Sequence, residues 1–377
     1  MRAAGRRVRL IVHPEGELLG PFDVPEPWWP ETASIVEAAR RATGRELVVL
    51  RLIERRNERA GGDVTYLAED SARAGVAERS DDPCRMSWAR PGGALADVDW
   101  ARGRLACPVD AVQVKSWNLS SLWRLDGADN RWWLKVVPPF FAHEGRLVVW
   151  LRGRGHPVPA PVDVDGPRLL MAHVDGTDGF GAGRAEERAL IDALVDLQLD
   201  AMAHVDNLVE LGVPDWRVEP FTALASATVE ARAAELNPTE LQSLRRLVAD
   251  IAHRLASAAA AGVPDSIVHG DPHPGNARFA DDLRSFTILD WGDATIGCPF
   301  LDLSRMASST RAWLERWSRA LPGADVDAAW RVVRPLAALR DAVVYEQFCD
   351  NIEPSERVYH DLDVAPSLRQ AARLAAA

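Results

Sequence analysis

Cysteine and long apolar runs are both scarce in this chain of 377 residues. The four cysteines are scattered and include no Cys-x-x-Cys pair, which argues against a disulfide framework or a zinc site and favours small buried thiols: Cys84, Cys107, Cys298 and Cys349. No apolar run approaches the roughly 18 residues of a membrane span. Near the start, only the Leu-Ile-Val of residues 10–12 is apolar, too short for a signal peptide. We therefore expect a soluble, cytoplasmic protein with no membrane partner.

Lysine is nearly absent as well. Of the 44 basic residues only Lys115 and Lys135 are lysines, and the rest are arginines. Where arginine is the usual cation, a lysine suggests a need for a compact point charge. The net charge of −11 argues against a nucleic-acid partner and is compatible with a cationic small substrate. No Gly-x-x-x-x-Gly-Lys-Ser/Thr sequence occurs, which excludes a P-loop kinase.

The first part of the chain, residues 1–105, reads as a small α+β accessory domain. Its apolar runs predict strands over 8–13, 46–54 and 63–69, and a helix over 30–44 that Gly44 ends. Residues 79–97 are predicted to be mostly loop. The helix-glycine-strand order faintly resembles a Nudix domain. The acidic metal-binding cluster of that family is missing, because residues 37–44 carry one glutamate, Glu37. The resemblance therefore implies that Nudix chemistry is lost.

From residue 106 the pattern changes to strands around a turn at 126–130, a helix over 140–155, and a strand-turn-strand unit over 158–176. After Gly179 the chain has the apolar period of helices. One of them is predicted to begin at Pro238 with Asn237 as its N-cap.

The chemistry concentrates in "SIVHGDPHPGNARF", residues 266–279, and in "FTILDWGDA", residues 286–294. Two prolines forbid a helix across the first stretch, so its polar side chains lie on a stiff, irregular loop. It carries Asp271 and Asn276, and the second stretch brings Asp290 to the end of a strand. Two carboxylates and an amide oxygen suit a site that holds Mg²⁺ on a polyphosphate while a hydroxyl attacks.

These motifs resemble the aminoglycoside phosphotransferase and choline kinase-like family, small-molecule kinases with a protein-kinase-like fold. The family pattern is His-Gly-Asp-x-x-x-x-Asn followed by an apolar pair and Asp-Trp or Asp-Phe, and this chain matches each fixed position. The resemblance implies that Asp271 is the catalytic base, that Asn276 and Asp290 bind magnesium, and that His269 braces the loop. The implied cofactors are ATP, or GTP, and Mg²⁺.

The resemblance extends upstream to about residue 106. Lys135 in "WWLKVV" and Glu144 in "HEGRLVVWL" match the family's phosphate-binding lysine and its paired glutamate. An ammonium that interrupts an apolar strand also needs a carboxylate partner on physical grounds. "SWNLSS", residues 116–121, occupies the place of the phosphate-covering turn, which implies nucleotide contacts at Ser120 and Ser121. The hinge backbone around Ala172 and Val174 would face the base.

The expected architecture is therefore an α+β, bilobal protein-kinase-like fold. Its β-rich N-lobe would span 106–175 and its helical C-lobe 176–377, after the accessory domain. The acceptor is predicted to be a small molecule with a hydroxyl. Acidic residues near the C-terminus would suit an amine-bearing sugar or an aminoglycoside, with three candidate contacts: Glu346, Asp350 and Glu353. A solvated acidic surface remains an alternative interpretation of them.

Three other functions stay open at this point. His269 and His273 could ligate a metal, although the prolines exclude a helical His-x-x-x-His site. The fragments "DPH" and "GDA" also occur in metallophosphoesterases, which need several more histidines downstream, and only His360 follows. The third alternative is a nucleotide-binding scaffold, a pseudokinase that acts through residues 1–105. The sequence does not indicate an oligomeric state.

Overall fold

The computed structural model describes residues 5–56, 60–80, 82–280 and 285–376. They form two compact units. The first unit comprises Met1–Gly145, Ala160–His173 and Phe348–Tyr359, and the second comprises Arg146–Pro159, Val174–Gln347 and His360–Ala377. The predicted accessory domain and most of the predicted N-lobe share the first unit, so a domain boundary near residue 105 stays a prediction.

The strands are β1 Arg6–His13, β2 Glu17–Val24, β3 Leu47–Arg55, β4 Gly62–Asp70, β5 Asp110–Trp117, β6 Ser120–Asp126, β7 Arg131–Val136, β8 Pro161–Asp165, β9 Arg168–Ala172, β10 Thr177–Asp178, β11 Ser266–Val268, β12 Ala277–Phe279, β13 Phe286–Ile288 and β14 Thr295–Gly297. The α-helices are α1 Ala33–Thr43, α2 Gly93–Arg102, α3 Glu144–Gly153, α4 Arg184–Ala201, α5 Val205–Glu210, α6 Val218–Ala231, α7 Pro238–Ala249, α8 Ile251–Ala260, α9 Thr310–Ala320, α10 Val326–Asn351 and α11 Asp361–Ala376.

The N-terminal sheet has the order β2-β1-β4-β3, with β1 and β4 parallel and the other pairs antiparallel. Helix α1 connects β2 to β3 and ends at Gly44, whose φ of 72° is the left-handed value that glycine adopts without strain. The predicted strands and helix of this region are present. The Nudix resemblance itself remains untested.

Two elements of this region were not predicted. Strand β2 contains Gly20 and Pro21, which interrupt the alternation of apolar residues that marks a strand. Helix α2 begins at Gly93, inside the stretch 79–97 that we expected to be mostly loop. The adjacent Pro-Gly-Gly reads as a turn, although here it leads directly into a helix.

The second sheet of the first unit has the order β5-β6-β7-β9-β8 and is antiparallel throughout. One face of it forms a shared core with β3 and α2. The second sheet contributes buried side chains to this core: Trp123, Leu125, Leu134, Val136 and Leu170. The N-terminal region, which is the predicted accessory domain of residues 1–105, contributes Val48, Leu50, Val98 and Ala101. Since neighbouring residues of a strand point to opposite faces, Lys135 projects from the other face of the sheet.

The second unit is mostly helical, as predicted. Helix α7 begins at Pro238, and Asn237 and Glu240 form a reciprocal capping box at its start. Short strand pairs support the polar loops: β11 pairs with β14, and β12 pairs with both β10 and β13. Across the described residues, no helix has the length and apolar character that a bilayer crossing would need.

Candidate active site

Lys135 and Glu144 form an ion pair in the first unit. Lys135 Nζ lies 2.7 Å from Glu144 Oε1, and the two side chains are 13% and 3% exposed. Lys135 is in β7, and Glu144 is the first residue of α3. Because both groups are largely withdrawn from water, each charge depends on the other for compensation. The structure thus brings together the two residues that the sequence analysis paired.

The turn between β5 and β6 consists of Asn118 and Leu119, both buried. Beside it, the Trp117 indole donates to Ser120 Oγ at 3.0 Å. Ser121 is fully buried and accepts a hydrogen bond from the Trp123 indole. A hydroxyl in that position cannot reach a phosphate, so we do not propose that the Ser121 side chain contacts the nucleotide.

The predicted hinge lies where the chain passes from the first unit to the second, between His173 and Val174. The amide of Ala172 donates to Ala160 O, so its N–H is not the group that would face a nucleotide base. The ring of His173 accepts a hydrogen bond from the Trp133 indole at 2.9 Å.

His269 joins the two motif stretches of the second unit. Its Nε2 lies 3.1 Å from Leu289 O, and its Nδ1 accepts from the amide of Asp271 at 3.3 Å. Burial lowers the pKa of this imidazole to about 4, so it is neutral at neutral pH. A neutral ring with its proton on Nε2 satisfies both bonds, because one nitrogen then donates and the other accepts. These bonds connect the loop to the residue before Asp290.

Asp302 holds the same loop from behind. Its carboxylate accepts the amides of His269 at 3.0 Å and Gly270 at 2.7 Å, and also the side-chain amide of Gln198. The residue is fully buried, and burial raises its pKa to about 6. Asp302 therefore anchors the loop.

Asp271 lies between two basic side chains. Its Oδ1 is 3.3 Å from Arg305 Nε, and its Oδ2 is 3.3 Å from His273 Nε2. The amide of Gly275 donates to His273 Nδ1, which places the proton of the neutral ring on Nε2, facing Asp271. Burial alone would raise the pKa of Asp271. The effects of His273 and Arg305 outweigh burial and lower this pKa to about 2. The carboxylate is therefore ionised at neutral pH and fixed in direction.

Asn276 and Asp290 are neighbours across the β12–β13 pair, since Ala277 pairs with Ile288 and the amide of Leu289 donates to Asn276 O. The Asn276 side-chain nitrogen donates to Asp271, at 2.9 Å to its carbonyl and 3.1 Å to its Oδ2. The amide oxygen, the atom that a cation would need, is therefore directed away from Asp271. Asp290 is exposed and has a φ of 64°, a left-handed backbone that aspartate tolerates better than most residues.

The donor set fits magnesium better than zinc. One carboxylate and one amide oxygen are hard donors, and Mg²⁺ keeps waters and phosphate oxygens as its other ligands. Within the part of the chain that the structure describes, no three or more His, Cys, Asp or Glu side chains gather as a metal-binding group. This gives no support to the zinc alternative for His269 and His273, whose nitrogens are engaged in the bonds described above.

Two of the three predicted acceptor residues are buried and paired with arginines. Glu346, in the second unit, is buried and accepts from Arg232 Nε at 2.6 Å. Glu353, in the first unit, is buried between Arg51 at 2.6 Å and Arg85 at 2.8 Å. Asp350 is exposed. Because arginines already neutralise the two glutamates, we do not propose them as amine-binding residues.

Two arginines near the loop were missed by sequence reasoning. Arg305 contacts Asp271, and Arg340 is buried and donates to Gly270 O and Asp293 O, both at 3.0 Å. Asp293 is also enclosed, and its burial, with the nearby charges of Asp271 and Asp290, raises its pKa to about 7. No local pattern marks either arginine, since each reaches the loop through tertiary packing.

A family model described as the phosphotransferase enzyme family matches residues 111–336, more than half of the chain. The chain belongs to this phosphotransferase family. This match confirms the family that the loop motifs resembled. It also confirms the expectation that the protein is a small-molecule kinase. No curated protein sequence matches the chain.

Solved structures similar to this phosphotransferase confirm the fold. They include the GDP and kanamycin complex of APH(2″)-IIia, with a TM-score of 0.54 and 16% identity over 75% of this chain and 98% of that one. A Plasmodium vivax ethanolamine kinase has a TM-score of 0.52 and 9% identity over 71% and 82%. The GDP complex of aminoglycoside 2′-phosphotransferase-IIIa has a TM-score of 0.51 and 15% identity over 72% and 98%. The α+β, protein-kinase-like architecture is therefore as predicted.

Proposed function

We propose that this phosphotransferase transfers the γ-phosphate of ATP or GTP, in the presence of Mg²⁺, to a hydroxyl group of a small molecule. The observation that carries the proposal is the construction of the loop around Asp271. His269 bonds to Leu289 O, and the amide of Leu289 bonds to Asn276 O, so one network fixes Asp271, Asn276 and the strand end before Asp290. Bound GDP in two of the similar solved structures supports a nucleotide substrate.

Asn276 and Asp290 would hold the cation through the amide oxygen and the carboxylate. Magnesium in such a site neutralises charge that develops on the transferred phosphoryl group. Lys135, fixed by Glu144, would direct its ammonium at the nucleotide phosphates. The β5–β6 turn, residues Asn118 and Leu119 with Ser120 beside it, would cover those phosphates.

Asp271 would orient the acceptor. Its carboxylate is ionised and directed by His273 and Arg305, so it can accept a hydrogen bond from a hydroxyl and then its proton. Phosphoryl transfer of this kind needs little covalent chemistry from the protein, and positioning with electrostatic stabilisation supplies most of the catalysis.

The acceptor class stays a prediction. An amine-bearing sugar or aminoglycoside was suggested by acidic residues, two of which pair with arginines in this structure. A screen of amines, sugars, amino sugars and aminoglycosides, read as ADP or GDP release with Mg²⁺, would identify it. Turnover with any acceptor also separates the kinase from the nucleotide-binding scaffold alternative.

The test of the mechanism is Asp271→Asn, which keeps the shape of the side chain and removes its charge. We expect turnover to fall at least about 100-fold, the usual contribution of a general base, with nucleotide affinity unchanged. Asp206→Asn is the matched control, because Asp206 is 83% exposed and lies outside the loop. Turnover of Asp271→Asn close to that of Asp206→Asn would refute the assignment.

A further inference from the structure

A short segment near the C-terminus belongs to the first unit although the chain on both sides of it belongs to the second. We call this segment, Phe348–Tyr359, the clasp. Ile352 of the clasp is fully buried in the core that β3 and α2 share with the β5–β9 sheet. The clasp is therefore an integral part of the first unit, and its other contacts show what it connects.

On one side the clasp is bound to the N-terminal region. Glu353 is 6% exposed and lies between the guanidinium groups of Arg51 and Arg85. Glu356 is buried, and its carboxyl group accepts the amide of Leu52 at 3.1 Å. Arg51 and Leu52 are in β3, so two consecutive residues of that strand hold two acidic residues of the clasp.

On the other side the clasp is bound to the β5–β6 turn. The side-chain nitrogen of Asn118 donates to the backbone carbonyl of Glu356 at 3.1 Å, and Asn118 is only 2% exposed. The ring of Tyr359 packs edge-on against Trp117, with centroids 5.6 Å apart. The same ring packs edge-on against Trp29 of the N-terminal region at 5.7 Å.

The N-terminal region also contacts the turn strand directly. Gln113 of β5 exchanges two hydrogen bonds with the backbone of Val49, at 2.9 and 2.7 Å. Ser116 Oγ donates to Leu50 O, and the Trp88 indole donates to Trp117 O, both at 3.0 Å. Strand β5 is thus bonded to residues 49–50 and 88 along much of its length. The turn at its end is fixed by groups far from it in the sequence.

We propose that the N-terminal region, acting through the clasp, positions the β5–β6 turn for binding of nucleotide phosphates. This inference rests on the proposed function, in which that turn covers the phosphates. A turn held in one conformation does not have to be ordered when the nucleotide binds, and this saves a conformational cost that would otherwise weaken affinity. Arg51 and Arg85 are positioning residues, because they act through the turn, and the buried side chain of Asn118 holds the turn to the clasp.

The experiment measures binding of adenosine, ADP and ATP with Mg²⁺ by calorimetry to the full chain and to three variants: Arg51→Ala, Arg85→Ala and Asn118→Ala. Fixing the backbone of one residue is worth about tenfold in affinity, so we expect ATP to bind roughly tenfold more weakly to each variant. ADP should weaken less and adenosine not at all, since the turn is proposed to contact phosphates. General damage to the fold would weaken all three.

Arg73→Ala is the matched control in the N-terminal region, because Arg73 is 63% exposed and forms an ion pair with the exposed Glu15. It should bind all three compounds as the unaltered chain does. Hydrogen exchange gives a second measurement: the amides of residues 116–121 should lose protection in Arg51→Ala and Arg85→Ala and keep it in Arg73→Ala.

The outcomes separate the two proposals. If the unaltered chain binds ATP and all three variants bind it equally well, with protection of 116–121 unchanged, the role of the clasp is refuted and the proposed function stands. If the unaltered chain binds no nucleotide, the proposed function fails, and the inference fails with it. Weaker binding of ATP, a smaller effect on ADP and unchanged binding of adenosine in the three variants support the inference.

Discussion

Lys135 Nζ and Glu144 Oε1 are 2.7 Å apart, joining the middle strand of the β5–β9 sheet to the first residue of α3. The pair explains why a chain with 44 basic residues uses a lysine here, where arginine is otherwise the rule. A compact ammonium can contact the carboxylate and still present hydrogen-bond donors to a phosphate. The planar guanidinium of arginine distributes its donors in a fixed fork.

Lys135→Arg should therefore keep the charge and lose its placement. We expect the Kd for ATP with Mg²⁺ to rise at least about tenfold, because the larger group cannot occupy the same buried position beside Glu144. Calorimetric titration with ATP measures this, and circular dichroism reports whether the fold is retained.

The chain's other lysine provides the control. Lys115 lies in β5, half-buried, and Lys115→Arg should leave ATP binding unchanged. Equal affinities for the two variants would show that the nature of the cation at position 135 does not matter, and would remove the reason given for lysine there.

Gly270 is predicted to tolerate no side chain. Its φ is 94°, and a Cβ atom would lie 2.3 Å from Asp293 O and 2.5 Å from Arg340 Nη2. Since the Asp293 carbonyl is backbone, Gly270→Ala must displace the loop or the 291–294 turn, and we expect turnover to fall at least about 100-fold, as for loss of the base itself. A kinetic assay with the identified acceptor measures this.

Gly323→Ala is the matched substitution, because a Cβ at Gly323 meets nothing within 4 Å and its backbone is not left-handed. It should be as active as the unaltered chain. Full activity of Gly270→Ala would mean that the loop can shift without loss of function, contrary to the fixed geometry argued for Asp271.

Much of the site could be predicted from the sequence because its members lie close together along the chain. His269, Gly270, Asp271 and Asn276 fall within eight consecutive residues, and the prolines among them exclude a helix. Asp290 follows at the end of the next clear strand. The pair Lys135 and Glu144 was implied by the family resemblance, and the need of a charge in an apolar strand for compensation agreed with it.

The residues that hold the loop could not be found in this way. Arg340 bonds to Gly270 O across 70 positions, and Asp302 bonds to the Gly270 amide across 32. In sequence, Arg340 is one of three arginines on a long helix, and nothing local distinguishes it. Glu353 of the clasp was misread for the same reason: it suggested a solvated or substrate-binding surface, and its two arginine partners come from more than 260 positions away.

His273 is expected to affect catalysis without affecting nucleotide binding. Its Nε2 faces Asp271 Oδ2 at 3.3 Å, and this contact lowers the pKa of the Asp271 carboxyl. His273→Leu removes the donor and should lower kcat about tenfold, at the lower end of what orientation of a catalytic group contributes, with the Kd for ATP unchanged.

His273→Gln is the conservative comparison, since its side-chain amide can still donate a hydrogen bond toward Asp271. It should recover part of the kcat that His273→Leu loses. If the two variants are equally impaired, the hydrogen bond to Asp271 is not what His273 supplies, and packing against Phe180, whose ring lies 5.8 Å away, becomes the better explanation.

The pH dependence of stability should report on the clasp. Burial raises the pKa of Glu356 to about 8, the nearby Glu353 carboxylate adds to this, and the Leu52 amide and Arg51 oppose it. The folded protein therefore holds a proton on Glu356 that the unfolded chain, with an ordinary pKa of 4.5, releases. The resulting stabilisation is complete below pH 4.5 and is lost as the pH rises through 8. We expect this one group to lower the free energy of unfolding by up to about 1.4 kcal/mol per pH unit in that window.

Urea unfolding at several pH values, followed by tryptophan fluorescence, measures this dependence against Glu356→Gln. Glutamine resembles the protonated carboxyl and can accept the Leu52 amide, but it does not titrate. The other acids with raised pKa values, including Asp293 and Asp302, are present in both proteins, so their contributions cancel in the difference. As the pH rises from 4.5 to about 8, the unaltered chain should lose stability relative to the variant. Parallel curves would show that Glu356 titrates alike in the folded and unfolded chains, which a carboxyl group enclosed between β3 and the β5–β6 turn could not do.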